Sequence, residues 1–414
     1  MKKILLVLLF LLIVFGGYIL YSNYKEKETP KIEVEKEVID IDKLFIYGNH
    51  LNLNGSLVND NNLELVLYDG KFLNYKINVQ DNSFNLSDYV NDGIFLDEIP
   101  IGKYLMFLRS NNVDEKGNNN YKYYILNNNT DYKETVFYTF NNIGNKIVID
   151  SNNDYGTLMM NVNKNKEENI YDVVIDPGHG GMDSGASKYG YKESEFTMKA
   201  ALSLKEEMEK YGVKVKLTRE DGQLSLNETL PNYGENGRAV IPHNVKAKYI
   251  FSLHLNSSTY TSQNGLEIYT AQNINYDFAK DLAKNITENA KINYSKNPVS
   301  KKLDGIYTRM FTQSDINSSL KEYKQKEMNA YEITTNSNYY YMIRETGGII
   351  TGAYVDDRNP EVGNNLYYDS NVGCETYLIE LGYITNKSDV ENIKNNLDKY
   401  TEAIANTFKT VFVK

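Results

Sequence analysis

The chain has one cysteine, Cys374, among its 414 residues, and no tryptophan. A single thiol excludes any intrachain disulfide, and with it the small cross-linked scaffolds. Basic residues are in the minority, 45 Lys and Arg against 55 Asp and Glu, for a formal net charge of −10. Nucleic-acid backbones need a Lys/Arg surface, so this balance argues against nucleic acid as a partner. It also offers no general attraction to anionic surfaces, so recognition of one must be local. No lipobox cysteine stands at the end of the N-terminal apolar run, so the chain does not read as a lipoprotein. The missing tryptophan beside 36 tyrosines reads as the codon bias of an AT-rich genome. Histidine is scarce too: His50, His179, His243 and His254 are the whole supply.

What is present describes a folded protein of more than one domain. Hydrophobic residues make up 41% and charged residues 24%, enough to bury a core. The length favours two domains plus a terminal segment. Lys2 and Lys3 precede an unbroken apolar run over residues 4–21. At about 1.5 Å per residue, a helix of that length approaches the ~30 Å hydrocarbon core of a bilayer. The basic flank precedes the run, which places the N-terminus inside and the rest outside. The run ends without a small-x-small cleavage site, so residues 1–23 read as an uncleaved transmembrane helix. Secretion after signal cleavage is the alternative.

Residues 24–43 are charged and read as a tether from the bilayer. Residues 44–163 show short strand runs separated by Asn, Asp and Gly turns, which predicts an all-β, sandwich-like domain. It contains one histidine, His50, read as a lone loop histidine. A polar linker follows near residues 164–168. From about residue 170 to 414 strands and helices alternate, which predicts an α/β catalytic domain with a mostly parallel sheet. Predicted strands include 172–175, 213–217, 249–253 and 377–381, and predicted helices include 195–211 and 277–290.

Two of the four histidines stand at predicted strand ends: His179 in Asp176-Pro177-Gly178-His179-Gly180-Gly181, and His254 in Leu253-His254-Leu255-Asn256. Ligands of open α/β sheets bind beyond the carboxyl ends of strands. Glu193 and Glu195 open the first long helix, and Glu380 interrupts an otherwise apolar strand, where a carboxylate needs a reason to be buried. A catalytic zinc takes three protein ligands, commonly two histidines and a carboxylate, and leaves a position for water. His179, His254 and Glu193 or Glu195 can supply that set, with Glu380 as a base outside it. His243 reads as the start of a surface helix and Cys374 as a small buried hydrophobe.

These residues resemble the zinc-dependent N-acetylmuramoyl-L-alanine amidases. The resemblance rests on residues 173–186, on the segment around Glu193, on Leu217-Thr218-Arg219, on residues 251–256 and on residues 379–386. It covers roughly residues 170–414. It implies a phosphorylase/hydrolase-like α/β fold, a Zn2+ ion on His179, Glu193 and His254, and Glu380 as the catalytic base. It assigns the ligand role to Glu193 rather than Glu195. The implied reaction releases stem peptides from peptidoglycan by cutting the amide between the lactyl group of N-acetylmuramic acid and L-alanine. A zinc peptidase acting within the stem peptide and a catalytically silent wall-binding scaffold are the alternatives.

The long interval between His254 and Glu380 departs from compact members and predicts an insertion around residues 295–371. A helix is expected at 319–332. Some relatives plug the metal site with such a helix until a protein activator arrives, which makes Glu322, Glu327 and Glu332 candidate autoinhibitory residues. Arg344 and Asn256 are candidate substrate contacts, Arg344 because a guanidinium pairs bidentately with a carboxylate. A peripheral decoration or a cleft wall is the plainer reading of the insertion.

Overall fold

The computed structural model describes residues 37–56, 62–113, 117, 119–127, 134–152, 154–181, 183–220, 237–325, 333–353, 366–367 and 370–413. The expected membrane helix and the first part of the expected tether lie outside the described residues. Among the described residues no helix is long and apolar enough to cross a membrane.

The tether is shorter than expected, because a strand already runs over Glu37–Tyr47. Its charged start alternates with apolar residues: Ile39 and Ile41 are buried while Val38, Asp40 and Asp42 face out. That is the period-two pattern of a strand with one buried face. The same strand joins the halves of the β-rich region. Glu37–Asp40 pair with the strand Asn119–Asn127, and after an irregularity at Ile41–Lys43 the rest pairs with His50–Ser56. The strands therefore form one hydrogen-bonded sheet of thirteen strands, nine in a continuous path and four branching from it, rather than two separate sheets. Leu44 and Ile46 share a single apolar core with Leu65, Leu108, Ile147 and Met160. His50 opens a strand opposite Tyr47 and does not sit in a loop.

The second sheet has seven strands. Four run parallel from one edge inward, in the order Val215–Leu217, Val173–Pro177, Tyr249–Asn256 and Glu375–Tyr383. Glu267–Tyr269 then pairs antiparallel with the last of these. Ile306–Tyr307 and Lys301–Leu303 complete the edge, so the start of the expected insertion widens this sheet. Val173–Pro177 and Glu375–Tyr383 are buried along their whole length, as central strands of a covered parallel sheet must be. The helices Glu193–Glu209, Asp277–Ala290 and Lys387–Phe412 cover one face, and Leu204, Leu282 and Phe408 join Ile175, Phe251 and Ile379 in its core. This is the mostly parallel α/β architecture expected from the sequence.

The insertion helix spans Gln313–Gln325 and starts six residues ahead of expectation. A reciprocal cap sets the start: Thr312 donates its hydroxyl to Asp315 Oδ2 at 2.7 Å, and the Asp315 amide donates back to Thr312 Oγ1 at 3.1 Å. Residues 326–332, with Glu327 and Glu332, lie outside the described residues, and so does the side chain of Glu322.

The two sheets are stitched together. Val372–Gly373 pairs in parallel with Ile46–Tyr47, immediately before the strand that carries Glu380. Below the stitch, buried Glu375 accepts from Asn91 Nδ2 at 2.9 Å and from the Tyr377 hydroxyl. Buried Lys248 pairs with buried Asp172 at 3.7 Å, and Asp172 also accepts from the backbone and side chain of Asn141.

Candidate metal centre

Three elements bring the site together at the carboxyl ends of the parallel strands. The strand Val173–Pro177 stops at Pro177, and His179 follows with φ of +59° in the loop. Glu193 is the first residue of the helix Glu193–Glu209, where a carboxylate is favoured by the helix dipole. His254 lies near the end of Tyr249–Asn256. The ligating atoms of the three residues all lie within 4.8 Å of one another. His179 Nε2 and His254 Nδ1 face the same oxygen, Glu193 Oε1, at 3.1 and 3.2 Å. Glu195 is exposed on the helix surface.

The loop is shaped around these groups. A Cβ on Gly178 would come within 2.3 Å of the His254 ring, and one on Gly185 within 2.6 Å of the His179 ring and 2.7 Å of Glu193 Oε2. Only glycine leaves room for the donors at either position. Two buried arginines brace the turn. Arg219 donates to the carbonyls of Pro177 at 3.1 Å and Gly178 at 3.3 Å, and Arg238 donates to the carbonyl of His179. Arg238 also pairs with buried Asp176, which accepts from Thr218 and Ser252 as well.

The charges are arranged for cation binding. His179 Nδ1 contacts Asp183 Oδ2 at 2.8 Å, which fixes the ring and leaves Nε2 turned to Glu193. Burial lowers the proton affinity of His179, but Glu193 and Asp183 outweigh it and raise its pKa above the usual value. Burial raises that of Glu193, but hydrogen bonds and charge from the two histidines hold its pKa far below the usual carboxylate range. Its oxygens also accept from the amides of Ala186 at 3.0 Å and Leu255 at 2.9 Å. Two imidazoles and one carboxylate converging in a glycine-lined loop fit a zinc ion in chemistry and in space.

Glu380 stands beside this group and outside it. Strand register puts it opposite His254 on one side and opposite Glu267 on the other, so the three share a row across adjacent strands. It is buried, and its Oε2 has no hydrogen-bond partner among the described residues. Burial first, then the neighbouring charges of Glu193 and Glu267, push its pKa well above the usual value.

Sequence reasoning missed two supporting acids. Asp183 lies four residues after His179 in a loop without periodicity. Glu267 interrupts the apolar Leu266-Glu267-Ile268, the same signal that singled out Glu380. Its carboxylate accepts from Asn256 Nδ2 at 2.9 Å, Tyr269 at 2.6 Å, Ser295 at 2.6 Å and the Tyr383 hydroxyl. The amide of Asn256 is thus turned to Glu267. Arg344 is turned inward as well, against the expectation that it meets a substrate. It is buried, donates to Glu345 at 2.6 Å and to the carbonyls of Asn338 and Tyr339 at 3.0 Å, and holds the insertion together. Cys374 is buried, and burial pushes its thiol up to about 12, which suits packing and not nucleophilic attack.

A converging His-Glu-His set beside an orphaned glutamate, at the carboxyl edge of a parallel sheet, is the arrangement of a metal-dependent hydrolase. The model of the N-acetylmuramoyl-L-alanine amidase family matches residues 173–410, more than half of the chain, and the chain belongs to that family. Among relatives, a probable cell wall amidase LytH of Staphylococcus saprophyticus is 31% identical over 122 residues, which are 28% of this chain and 37% of that protein. The Staphylococcus aureus protein of the same name is 34% identical over 101 residues, 23% of this chain and 30% of that one. The chain thus spans little more than a third of the curated relatives it matches. Among solved structures, the N-acetylmuramoyl-L-alanine amidase AmiC2 of Nostoc punctiforme aligns at 22% identity and a TM-score of 0.38, over 60% of this chain and 99% of that one.

Proposed function

We propose that the protein is a zinc-dependent hydrolase that cuts the amide bond between the lactyl group of N-acetylmuramic acid and L-alanine in peptidoglycan. The observation that carries this reading is the convergence of His179, Glu193 and His254 within 4.8 Å. The family membership supplies the bond. The apolar run at residues 4–21 and its basic flank support attachment to the cytoplasmic membrane with the catalytic part outside.

In this reading His179, Glu193 and His254 hold the ion, and Asp183 keeps His179 in the ligating tautomer. Zinc bound there supplies polarisation of the scissile carbonyl and lowers the pKa of a water towards about 7. Glu380 accepts the proton of the attacking water at its unpartnered Oε2 and hands it to the leaving nitrogen of L-alanine. Its raised proton affinity suits a group that must take a proton and then release it. The buried row of Glu267, Tyr269 and Tyr383 fixes the strand beside Glu380. The stitch between Ile46–Tyr47 and Val372–Gly373 makes the β-rich part a support for the strand of Glu380 in this scheme.

The test is metal analysis together with digestion of purified peptidoglycan. New L-alanine amino termini with intact glycan strands are the expected products. Cuts within the stem peptide instead point to a zinc peptidase, and bound zinc with no products points to a silent scaffold.

A further inference from the structure

The insertion brings one polar group close to Glu380 that the reaction scheme leaves unused, the hydroxyl of Tyr340. The helix Tyr341–Thr346 is fastened at its far end to the strand of Glu380. The hydroxyls of Thr346 and Thr376 lie 2.8 Å apart, and the amide of Cys374 donates to the Thr346 carbonyl at 2.8 Å. A helix of that length rises about 9 Å, against about 13 Å of strand between Thr376 and Glu380. Its first end is thus carried toward Glu380, the neighbour whose charge acts most strongly on the Tyr340 hydroxyl.

The backbone around Tyr340 is pinned from several sides. Arg344 donates to the carbonyls of Asn338 and Tyr339 at 3.0 Å. The Asn338 side chain donates to the carbonyl of Thr270 at 3.1 Å and accepts from the Tyr340 amide at 3.0 Å. The Tyr339 amide donates to the carbonyl of Arg309 at 2.8 Å. Tyr340 itself is half-buried, with its ring centre 4.4 Å from that of Tyr269. That packing needs a ring and no hydroxyl. Glu267 does not need the hydroxyl either. One of its oxygens already accepts from Asn256 and Tyr269, and the other from Ser295 and Tyr383. Burial and then the charge of Glu380 raise the proton affinity of the Tyr340 hydroxyl, so it stays a donor.

Strand register fixes which side of the base this donor occupies. Across the sheet the order is His254, Glu380, Glu267. The metal donors lie on the His254 side, and Tyr269 with Tyr340 on the Glu267 side. In the scheme above the scissile carbonyl turns to the metal donors and the leaving nitrogen to Glu380. The chain attached to that nitrogen then runs past Glu380 toward Tyr340.

We propose that Tyr340 is a substrate contact on the leaving-group side of Glu380, its hydroxyl donating to the carbonyl oxygen of the L-alanine residue that departs with the stem peptide. The assignment rests on the amidase reading. It gives the insertion a part in the cleft through Tyr340, with Arg344 and Asn338 as the residues that hold Tyr340 in place.

Two measurements on the zinc-loaded, full-length chain test it. One is steady-state turnover of the soluble muropeptide N-acetylmuramoyl-L-alanyl-γ-D-glutamyl-L-lysine. The other is calorimetric titration with the two products, the free tripeptide and N-acetylmuramic acid. Tyr340→Phe keeps the ring against Tyr269, and is expected to keep its zinc and its thermal transition. It is expected to lower kcat/KM about three- to tenfold, the loss of one hydrogen bond, and to weaken tripeptide binding by the same factor. Binding of N-acetylmuramic acid is expected to stay unchanged. Unchanged kcat/KM, unchanged tripeptide binding, no saturable tripeptide binding to the unmodified chain at millimolar concentration, or weakening of N-acetylmuramic acid instead overturns the proposal. If the unmodified chain releases no L-alanine amino termini, the amidase reading fails and this contact with it. Release by the unmodified chain and equal release by Tyr340→Phe removes the contact alone.

Discussion

One strand, Glu375–Tyr383, carries a buried glutamate near each end, and the two are treated differently. Glu375, at the seam, is hydrogen-bonded by Asn91 and Tyr377. Glu380, at the metal centre, keeps an oxygen without a hydrogen-bond partner among the described residues. Both have raised proton affinity, and burial is the first cause in each case. The difference lies in the donors. A satisfied buried carboxylate is a structural part, whereas an orphaned one is held ready for a group that is not protein.

That contrast can be broken at either end. The largest effect is expected at the metal donors. His254→Ala should leave the folded chain without stoichiometric metal and without turnover, as elemental analysis and a peptidoglycan digest would record; a fully loaded variant would remove His254 from the ligand set. Next comes Glu380→Gln, which should retain the metal and lose about 10²–10⁴ in turnover. Activity near that of the unmodified chain would falsify the assignment of the base.

Asp183→Ala should weaken metal affinity by about 10- to 100-fold, because the ring of His179 loses its partner. The pH dependence of binding sharpens the same point. Without metal, His179 has a raised pKa, and it must be neutral to ligate. Affinity should therefore fall as pH drops through that raised value and level off above it. In Asp183→Ala the fall should begin at lower pH, as competition titrations with a chelator would show. The smallest effect is expected at the seam. Glu375→Gln puts an amide where donors already point, and should cost about 1–3 kcal/mol of stability in chemical denaturation. Metal content and turnover of the folded protein should not change. Loss of metal in that variant would mean that the two ends are coupled.

The chemistry was legible in the sequence wherever a residue broke its local pattern. His179 and His254 end apolar runs, and Glu380 interrupts one. Glu193 came from the position of a carboxylate at a helix start, and the choice over Glu195 from the family pattern; geometry now puts Glu193 against both rings and Glu195 on the surface. Asp183 and Glu267 were illegible in their roles because those roles depend on loop shape and strand register. The insertion helix starts at Gln313, ahead of the expected residue 319, because the Thr312–Asp315 cap sets its first turn. Arg344 shows the limit of arguing from side-chain type: a guanidinium suits a substrate carboxylate, but it equally suits the carbonyls of a tight insertion.

The short parallel pairing of Ile46–Tyr47 with Val372–Gly373 also sets a timetable. Its two halves are roughly 330 residues apart, so closing that contact is among the last events open to the chain. Until residues near the C-terminus arrive, the first strand keeps an edge open to any other extended segment. A chain that emerges slowly from its N-terminus must therefore guard that edge through most of its synthesis, and a product truncated before residue 372 would keep it open for good.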